Sequence, residues 1–283
     1  MTYFDLFDQG RIKLFKLKDG ENDARLLLLW AFDIDMNELL LNYTSTQVDA
    51  DEEGKLKTAK YSCAIERRAS GVPLQHITHE SNFYGLKLYV DENVLVPRFD
   101  TEVLVETVLN DEEGMAAGRT ALDLCTGSGC IAIALSKHGS FARVDGSDIS
   151  RAALEIADAN AGTNGVEINF YESNMFSELG GMLYDVIVSN PPYIKTEVIE
   201  TLMPEVKDHD PRMALDGDED GLKFYRIIAK EAPQHLNKGG RLYLEIGYDQ
   251  AEEVTALLKE NGFKEIKVIK DLSQLDRVIC STI

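Results

Sequence analysis

The 283 residues are 44% apolar and 28% charged with a mean hydropathy of −0.19, which excludes a disordered or membrane-embedded chain and leaves room for two domains, each with a core. Against 29 basic residues stand 49 acidic ones, a net charge of −20 that repels nucleic-acid phosphates and suits a basic protein partner, or simply solubility. The longest apolar run, Leu26 to Phe32, is far short of the roughly 20 residues that cross a bilayer, and no basic signal-peptide start is present, so a cytoplasmic chain without direct nucleic-acid or membrane contacts is expected.

From Thr2 to about Gly71 the apolar spacing is helical: Leu6, Phe7, Leu14 and Phe15, then Leu26 to Phe32, then Leu39 to Tyr43, then Lys55 to Arg68. The acidic residues Asp49, Asp51, Glu52 and Glu53 open the last of these helices, where carboxylates favour an N-terminus. Two alternating runs, Phe83 to Val90 and Val94 to Val96 around Asp91-Glu92-Asn93, predict a β-hairpin linker. After Pro97, Asp100 is placed to cap a helix carrying Val103, Leu104, Thr107 and Val108. Strands at 120–124, 142–148, 166–171, 184–189 and 240–246 then alternate with helices at 129–138, 151–161, 221–235 and 250–261. The final strands, 264–270 and 276–281, lie too close in sequence for a crossover and predict an antiparallel hairpin. A mostly parallel sheet ending this way resembles the class I methyltransferase fold more than a standard dinucleotide-binding fold.

Asp123-Leu124-Cys125-Thr126-Gly127-Ser128-Gly129 falls where the first strand of that sheet meets its helix, the ligand-binding position of open α/β sheets. Cys125, with Cys63, Cys130 and Cys280, shows no CxxC or Cys/His spacing, so reduced thiols and no metal site are expected. The spacing Gly127, Gly129, Ala132 also passes as a weak dinucleotide fingerprint, so the glycines alone do not choose a cofactor. Asp123 leans toward S-adenosylmethionine, whose amino group is cationic. Asp148, ending the next strand, suits ribose hydroxyls, although it could instead cap the helix after Ser150. Asn174 and Met175 follow the third strand in position for an adenine ring, or form an ordinary loop with one core-facing hydrophobe.

Asn190-Pro191-Pro192-Tyr193 follows the apolar run Val186-Ile187-Val188. Neither proline carries an N–H, and each holds the residue before it extended, so Asn190 and Pro191 are stiff. If the Asn190 side-chain oxygen and the Pro191 carbonyl accept the two hydrogens of a planar NH2 group, its nitrogen is oriented for in-line attack on a sulfonium methyl, with Tyr193 packed on the flat group. Both a glutamine amide and an adenine amine satisfy this chemistry.

Further segments narrow the choice: Gly71-Val72-Pro73-Leu74-Gln75-His76-Ile77, Phe83-Tyr84-Gly85-Leu86, Val96-Pro97-Arg98-Phe99-Asp100-Thr101-Glu102, Asp210-Pro211-Arg212-Met213-Ala214-Leu215 and Leu244-Glu245-Ile246-Gly247. Together with Asn190 to Tyr193 they resemble the PrmC/HemK family of protein-(glutamine-N5) methyltransferases, from about Gly71 to the C-terminus. The resemblance implies an α/β class I S-adenosylmethionine-dependent methyltransferase with a small all-α N-terminal domain. It also implies S-adenosyl-L-homocysteine as product and the glutamine of the Gly-Gly-Gln loop of peptide chain release factors as substrate. By resemblance, Cys125, Thr126, Gly127, Ser128, Gly129, Asp148, Met175 and Asn190 bind the cofactor, while Asn190, Pro191, Pro192 and Tyr193 receive the glutamine. Residues 1–80 would be a helical substrate-recognition domain, 81–97 a β-hairpin linker and 98–283 the methyltransferase domain. Cys125 replaces a frequent glycine, Phe99 a usual proline and Met175 a frequent tryptophan. Arg98 and Glu102 stand either for cofactor positioning or for an internal salt bridge. Seven acids between 204 and 220, against Lys207 and Arg212, suggest an acidic strip that steers a basic release-factor loop. An adenine-amine DNA methyltransferase is the alternative, but it needs a basic groove and a base-extruding device. A nicotinamide oxidoreductase or a non-catalytic binding module is the remaining class.

Overall fold

The computed structural model describes all residues, Met1–Ile283, and divides into two compact units. The first comprises Met1–His79 with Pro204–His209, the second Glu80–Met203 with Asp210–Ile283. The return of Pro204–His209 to the helical unit was not expected, because the sequence reading assigns that segment to the methyltransferase domain. No helix is long and apolar enough to cross a membrane.

The helical unit contains α1 (Tyr3–Lys13), α2 (Gly20–Phe32), α3 (Met36–Asn42), α4 (Glu52–Ala69) and α5 (Leu74–Thr78). Thr2 and Asp5 form a reciprocal capping box at the start of α1, and the Asp51 carboxylate accepts from Gly54 N at 2.8 Å to start α4. Leu6, Leu14, Leu27, Leu28 and Tyr61 fill the core. Phe15, expected on the buried face, lies beyond the end of α1 and is 73% exposed. Between α2 and α4 the Arg68 guanidinium is buried, bonded to Asp23 Oδ2 at 2.7 Å, Glu205 Oε1 at 2.7 Å and Val72 O at 3.2 Å.

The second unit begins with the hairpin β1 (Ser81–Phe83) and β2 (Leu86–Leu88), turned by Tyr84 and Gly85 at φ of 49° and 75°. This corrects the predicted hairpin, since no strand covers 89–97. The alternation is real, with Leu86, Leu88, Val90, Val94 and Val96 all buried. What sequence periodicity could not show is that a side chain replaces the partner strand. Asn160 accepts from Tyr89 N at 2.7 Å and donates to Tyr89 O and Ser128 O, both at 3.0 Å.

Next come α6 (Phe99–Asp111), β3 (Thr120–Leu124), α7 (Cys130–His138), β4 (Arg143–Asp148), α8 (Arg151–Asn164), β5 (Asn169–Glu172) and β6 (Tyr184–Ser189). Three four-residue helices follow: α9 (Thr196–Ile199), α10 (Pro204–Lys207), which belongs to the first unit, and α11 (Arg212–Leu215). The chain ends with α12 (Lys223–Glu231), β7 (Leu236–Glu245), α13 (Ala251–Glu260), β8 (Lys264–Lys270) and β9 (Asp276–Thr282). Asp100 lies inside the first turn of α6 rather than capping it, because Arg98 is the N-cap residue. The predicted strand 166–171 shrinks to an edge strand at 169–172, and the helix expected at 221–235 is α-helical to Glu231 and tightens to a 3-10 turn over Ala232–Gln234.

The seven-stranded sheet runs β5-β4-β3-β6-β7-β9-β8, parallel except for β9, which is antiparallel to both neighbours. The order in which successive strands are added reverses between the parallel neighbours β3 and β6, so the crevice for a ligand lies at their C-terminal ends. Ala121, Val186 and Val188 pack in the core cluster that includes α6 and α7, whereas Leu122, Leu124 and Ile187 pack in the cluster of α12 and α13.

Candidate active site

Leu124 stands opposite Ser189 in the β3–β6 register, and the Ser189 hydroxyl donates to Leu124 O at 2.6 Å. The glycine loop and the Asn-Pro-Pro-Tyr segment therefore leave the sheet side by side. Between them opens a cavity of about 380 Å3, within the range of small-molecule sites and mostly apolar in its lining.

Of the expected cofactor residues, Cys125, Gly127, Asp148, Asn174, Met175 and Asn190 line this cavity. Gly127 has φ of 55° and nothing within 4 Å of where a Cβ would stand, so its bare backbone faces open space. Gly129, at φ 81°, acts differently: a Cβ there would sit 3.0 Å from Ala157 Cβ, so it allows α7 to pack on α8. Cys125 and Met175 are also left-handed, at φ of 63° and 53°, with their sulfurs 4.0 Å apart. At Cys125 this accounts for the glycine frequent in the resembling family, since a Cβ is disfavoured in that conformation.

Asp148 accepts from Gly127 N and Ser150 N at 2.9 Å each, one bond per oxygen, while the Ser150 hydroxyl caps α8 through Ala153 N. A carboxylate offers about four acceptor sites, so Asp148 keeps capacity for two further donors. Burial raises its pKa. Ser147 Oγ, also on the cavity wall, is buried without a partner. These two groups place hydrogen-bonding capacity side by side on a mostly apolar wall.

Asp123 does not reach the cavity. Strand alternation turns it to the α7 side, where Oδ2 accepts from Thr126 Oγ1 at 2.6 Å and Ala132 N at 3.0 Å. These bonds brace the loop from beneath, and Thr126, Ser128 and Gly129 likewise stand outside the lining. Arg98 and Glu102 resolve as internal contacts: Arg98 pairs with Asp210 at 2.5 Å, and Glu102 accepts from Tyr84 N at 2.8 Å.

Asn190 and Pro192 line the cavity, whereas Pro191 and Tyr193 do not. The Asn190 Nδ2 donates to Thr101 Oγ1 at 3.1 Å, leaving Oδ1 without a protein donor. Tyr193 anchors the segment instead of covering it: its hydroxyl donates to Glu245 Oε1 at 3.2 Å, and its carbonyl accepts from Gln250 Nε2 at 3.0 Å. Thr101, Met213 and Glu245 lie in segments that carry the family resemblance, but nothing in the sequence gives them a role. Phe224 and Ile227 line the cavity from α12 at a spacing that reads in the sequence as ordinary core. Leu95, on the irregular strap tied down by Asn160, was also missed as lining.

Burial pushes the carboxyls of Asp123 and Glu245 up to about 7 each. The unfolded chain releases these protons near pH 4, so between pH 4 and 7 the native state holds more protons and stability falls as pH rises. Unfolding free energy by denaturant titration is therefore expected to be greater at pH 6 than at pH 8, by about 1 kcal/mol from each group, with Asp123→Asn removing its share. Greater stability at pH 8 would contradict the assignment.

The acidic strip is weaker than its composition suggests. Glu205 pairs with Arg68, Asp210 with Arg98, Asp216 with Arg212, Asp218 with Lys223 and Asp220 with Arg226. Most of these cations lie outside the 204–220 window and fold back onto it, so counting charges along the chain overstated the local field.

The methyltransferase small domain model matches residues 98–206, and the PrmC N-terminal domain model matches residues 5–78. A release factor glutamine methyltransferase of Geobacter sulfurreducens is 44% identical over 215 residues, covering 76% of this chain and 75% of that protein. Another, from Agrobacterium fabrum, is 40% identical over 274 residues, covering 95% and 92%. A methyltransferase from Pyrococcus furiosus shares the fold, with a TM-score of 0.53 at 20% identity over 78% of this chain and 98% of that one. The sheet order and its antiparallel end agree with the class I methyltransferase fold. Identity of this level across most of both chains shows that the chain belongs to the release factor glutamine methyltransferase family.

Proposed function

We propose that this protein transfers a methyl group from S-adenosyl-L-methionine to the side-chain amide nitrogen of the glutamine in the Gly-Gly-Gln loop of a peptide chain release factor. The observation that carries this reading is Asn190, set in the cavity wall with its Nδ2 engaged and its Oδ1 free to accept. When bound, the cofactor supplies an electrophilic methyl on a sulfonium. Asp148 would hold the ribose hydroxyls, Gly127 would admit the ligand close to the backbone, and Asn174, Met175 and Phe224 would border the adenine.

Asn190 Oδ1 and the Pro191 carbonyl would accept the two amide hydrogens, turning the nitrogen toward the methyl carbon. Pro191 and Pro192 contribute rigidity, and neither adds a competing N–H. A dedicated strong base is unnecessary, because the nitrogen becomes acidic only as the new bond forms. The helical unit would grip the release factor.

Asp148→Ala is expected to raise the cofactor Kd about 10- to 100-fold by calorimetry, the scale of losing charge-assisted hydrogen bonds. An unchanged Kd would remove Asp148 from the site. The function itself is tested by incubating the protein with S-adenosylmethionine and a purified release factor and sequencing the product by tandem mass spectrometry. Methylation on the Gly-Gly-Gln glutamine is expected. Transfer to adenine in DNA, with the release factor untouched, would favour the other planar-amine chemistry.

A further inference from the structure

An asparagine amide can present either its oxygen or its NH2 to a ligand, and a half-turn about its last torsion exchanges them. For a substrate NH2 group the exchange is fatal, because donor would then meet donor. Something must therefore fix which end of Asn190 faces the cavity.

Nδ2 of Asn190 donates to Thr101 Oγ1 at 3.1 Å. A hydroxyl can accept or donate, so this contact fixes the amide only if the threonine proton is committed elsewhere. Thr101 is 2% exposed on the first turn of α6, with the Glu245 carboxyl of β7 beside it. Glu245 is 1% exposed; its Oε1 accepts from Tyr193, and its Oε2 has no hydrogen-bond partner. Above about pH 7, where Glu245 is ionised, it can only accept. The threonine proton is then drawn to Glu245, which leaves the oxygen of Thr101 to face Asn190 as an acceptor.

Resting on the reading of Asn190 given above, we infer that Thr101 is a positioning residue for methyl transfer, committed by Glu245 to accept from Asn190 so that Oδ1 stays turned to the substrate. Arg277 on β9 supports the charged form of Glu245 and is itself held by Asp271 at 3.1 Å and Asp100 at 3.3 Å. Two residues from separate elements thus determine the direction of a third.

The test is single-turnover methyl transfer from radiolabelled S-adenosylmethionine to a purified release factor, with enzyme in excess. Thr101→Val is expected to slow transfer about 10- to 100-fold, the scale of a small misplacement of a reacting group, with cofactor affinity kept. Thr101→Ser, which retains the hydroxyl, should restore most of the rate. In an Asn190→Ala background, adding Thr101→Val should change the rate by less than about twofold, since there is no amide left to orient. If Thr101→Val loses cofactor binding through misfolding, Thr101→Ala replaces it with the same expected pattern.

A wild-type rate in Thr101→Val, or an equal loss with and without Asn190, would overturn the inference while leaving an impaired Asn190→Ala in place. A near-normal Asn190→Ala would overturn the reading of Asn190 and the inference with it.

Discussion

Asn190→Ala is expected to lower kcat for glutamine methylation roughly 10²- to 10³-fold, about 3–4 kcal/mol of transition-state stabilisation, while the protein stays folded. The carboxamide is bonded through Nδ2 to Thr101 alone, so truncation removes little of the packing that holds the loop. What it removes is the acceptor that orders the substrate amide. The amide nitrogen is a poor nucleophile because its lone pair is delocalised, so orientation carries a large part of the barrier reduction. Steady-state kinetics with a release-factor substrate, beside a thermal melt, checks this. Near-normal turnover in a folded variant would contradict it.

Arg68→Met is expected to destabilise the protein by about 3–5 kcal/mol, because it removes one partner of a buried charge pair and leaves the other behind. Arg68 and Asp23 are 5% and 6% exposed, and Glu205 shares the same guanidinium. Burial already raises the Asp23 pKa, so without Arg68 this carboxyl would take up a proton rather than stay charged. A double variant, Asp23→Leu with Arg68→Met, should be milder than the single change, since the buried carboxyl is gone and only the more exposed Glu205 loses a partner. Denaturant unfolding measures both, and a loss below about 1 kcal/mol for Arg68→Met would contradict the assignment.

The parallel core of the sheet was legible because buried strands such as Val186-Ile187-Val188 are continuous apolar runs punctuated by turn residues. The closing hairpin was legible from connection length alone. The linker shows where periodicity stops being sufficient. Val90, Val94 and Val96 alternate as a strand would, yet Asn160, distant in sequence, satisfies the backbone that a partner strand would have paired.

The site divides in a similar way. Gly127, Asp148 and Asn190 stand at strand ends, where fold geometry alone sends residues to the crevice, and all three line the cavity. Asp123 does not line the cavity, since one step along β3 turns its side chain to the other face. Thr101 and Glu245 belong to α6 and β7, and their meeting beneath Asn190 depends on packing that no local pattern encodes. The pairing of the charge strip was illegible for a related reason: its counterions are neighbours only after folding.

The most direct test of the account is a crystal structure of the protein with S-adenosylhomocysteine and a release-factor Gly-Gly-Gln loop. The account predicts Asn190 Oδ1 and the Pro191 carbonyl each at about 2.6–3.2 Å from the substrate amide nitrogen, which faces the cofactor sulfur. A glutamine bound elsewhere, or Asn190 turned so that Nδ2 meets the substrate, would contradict it.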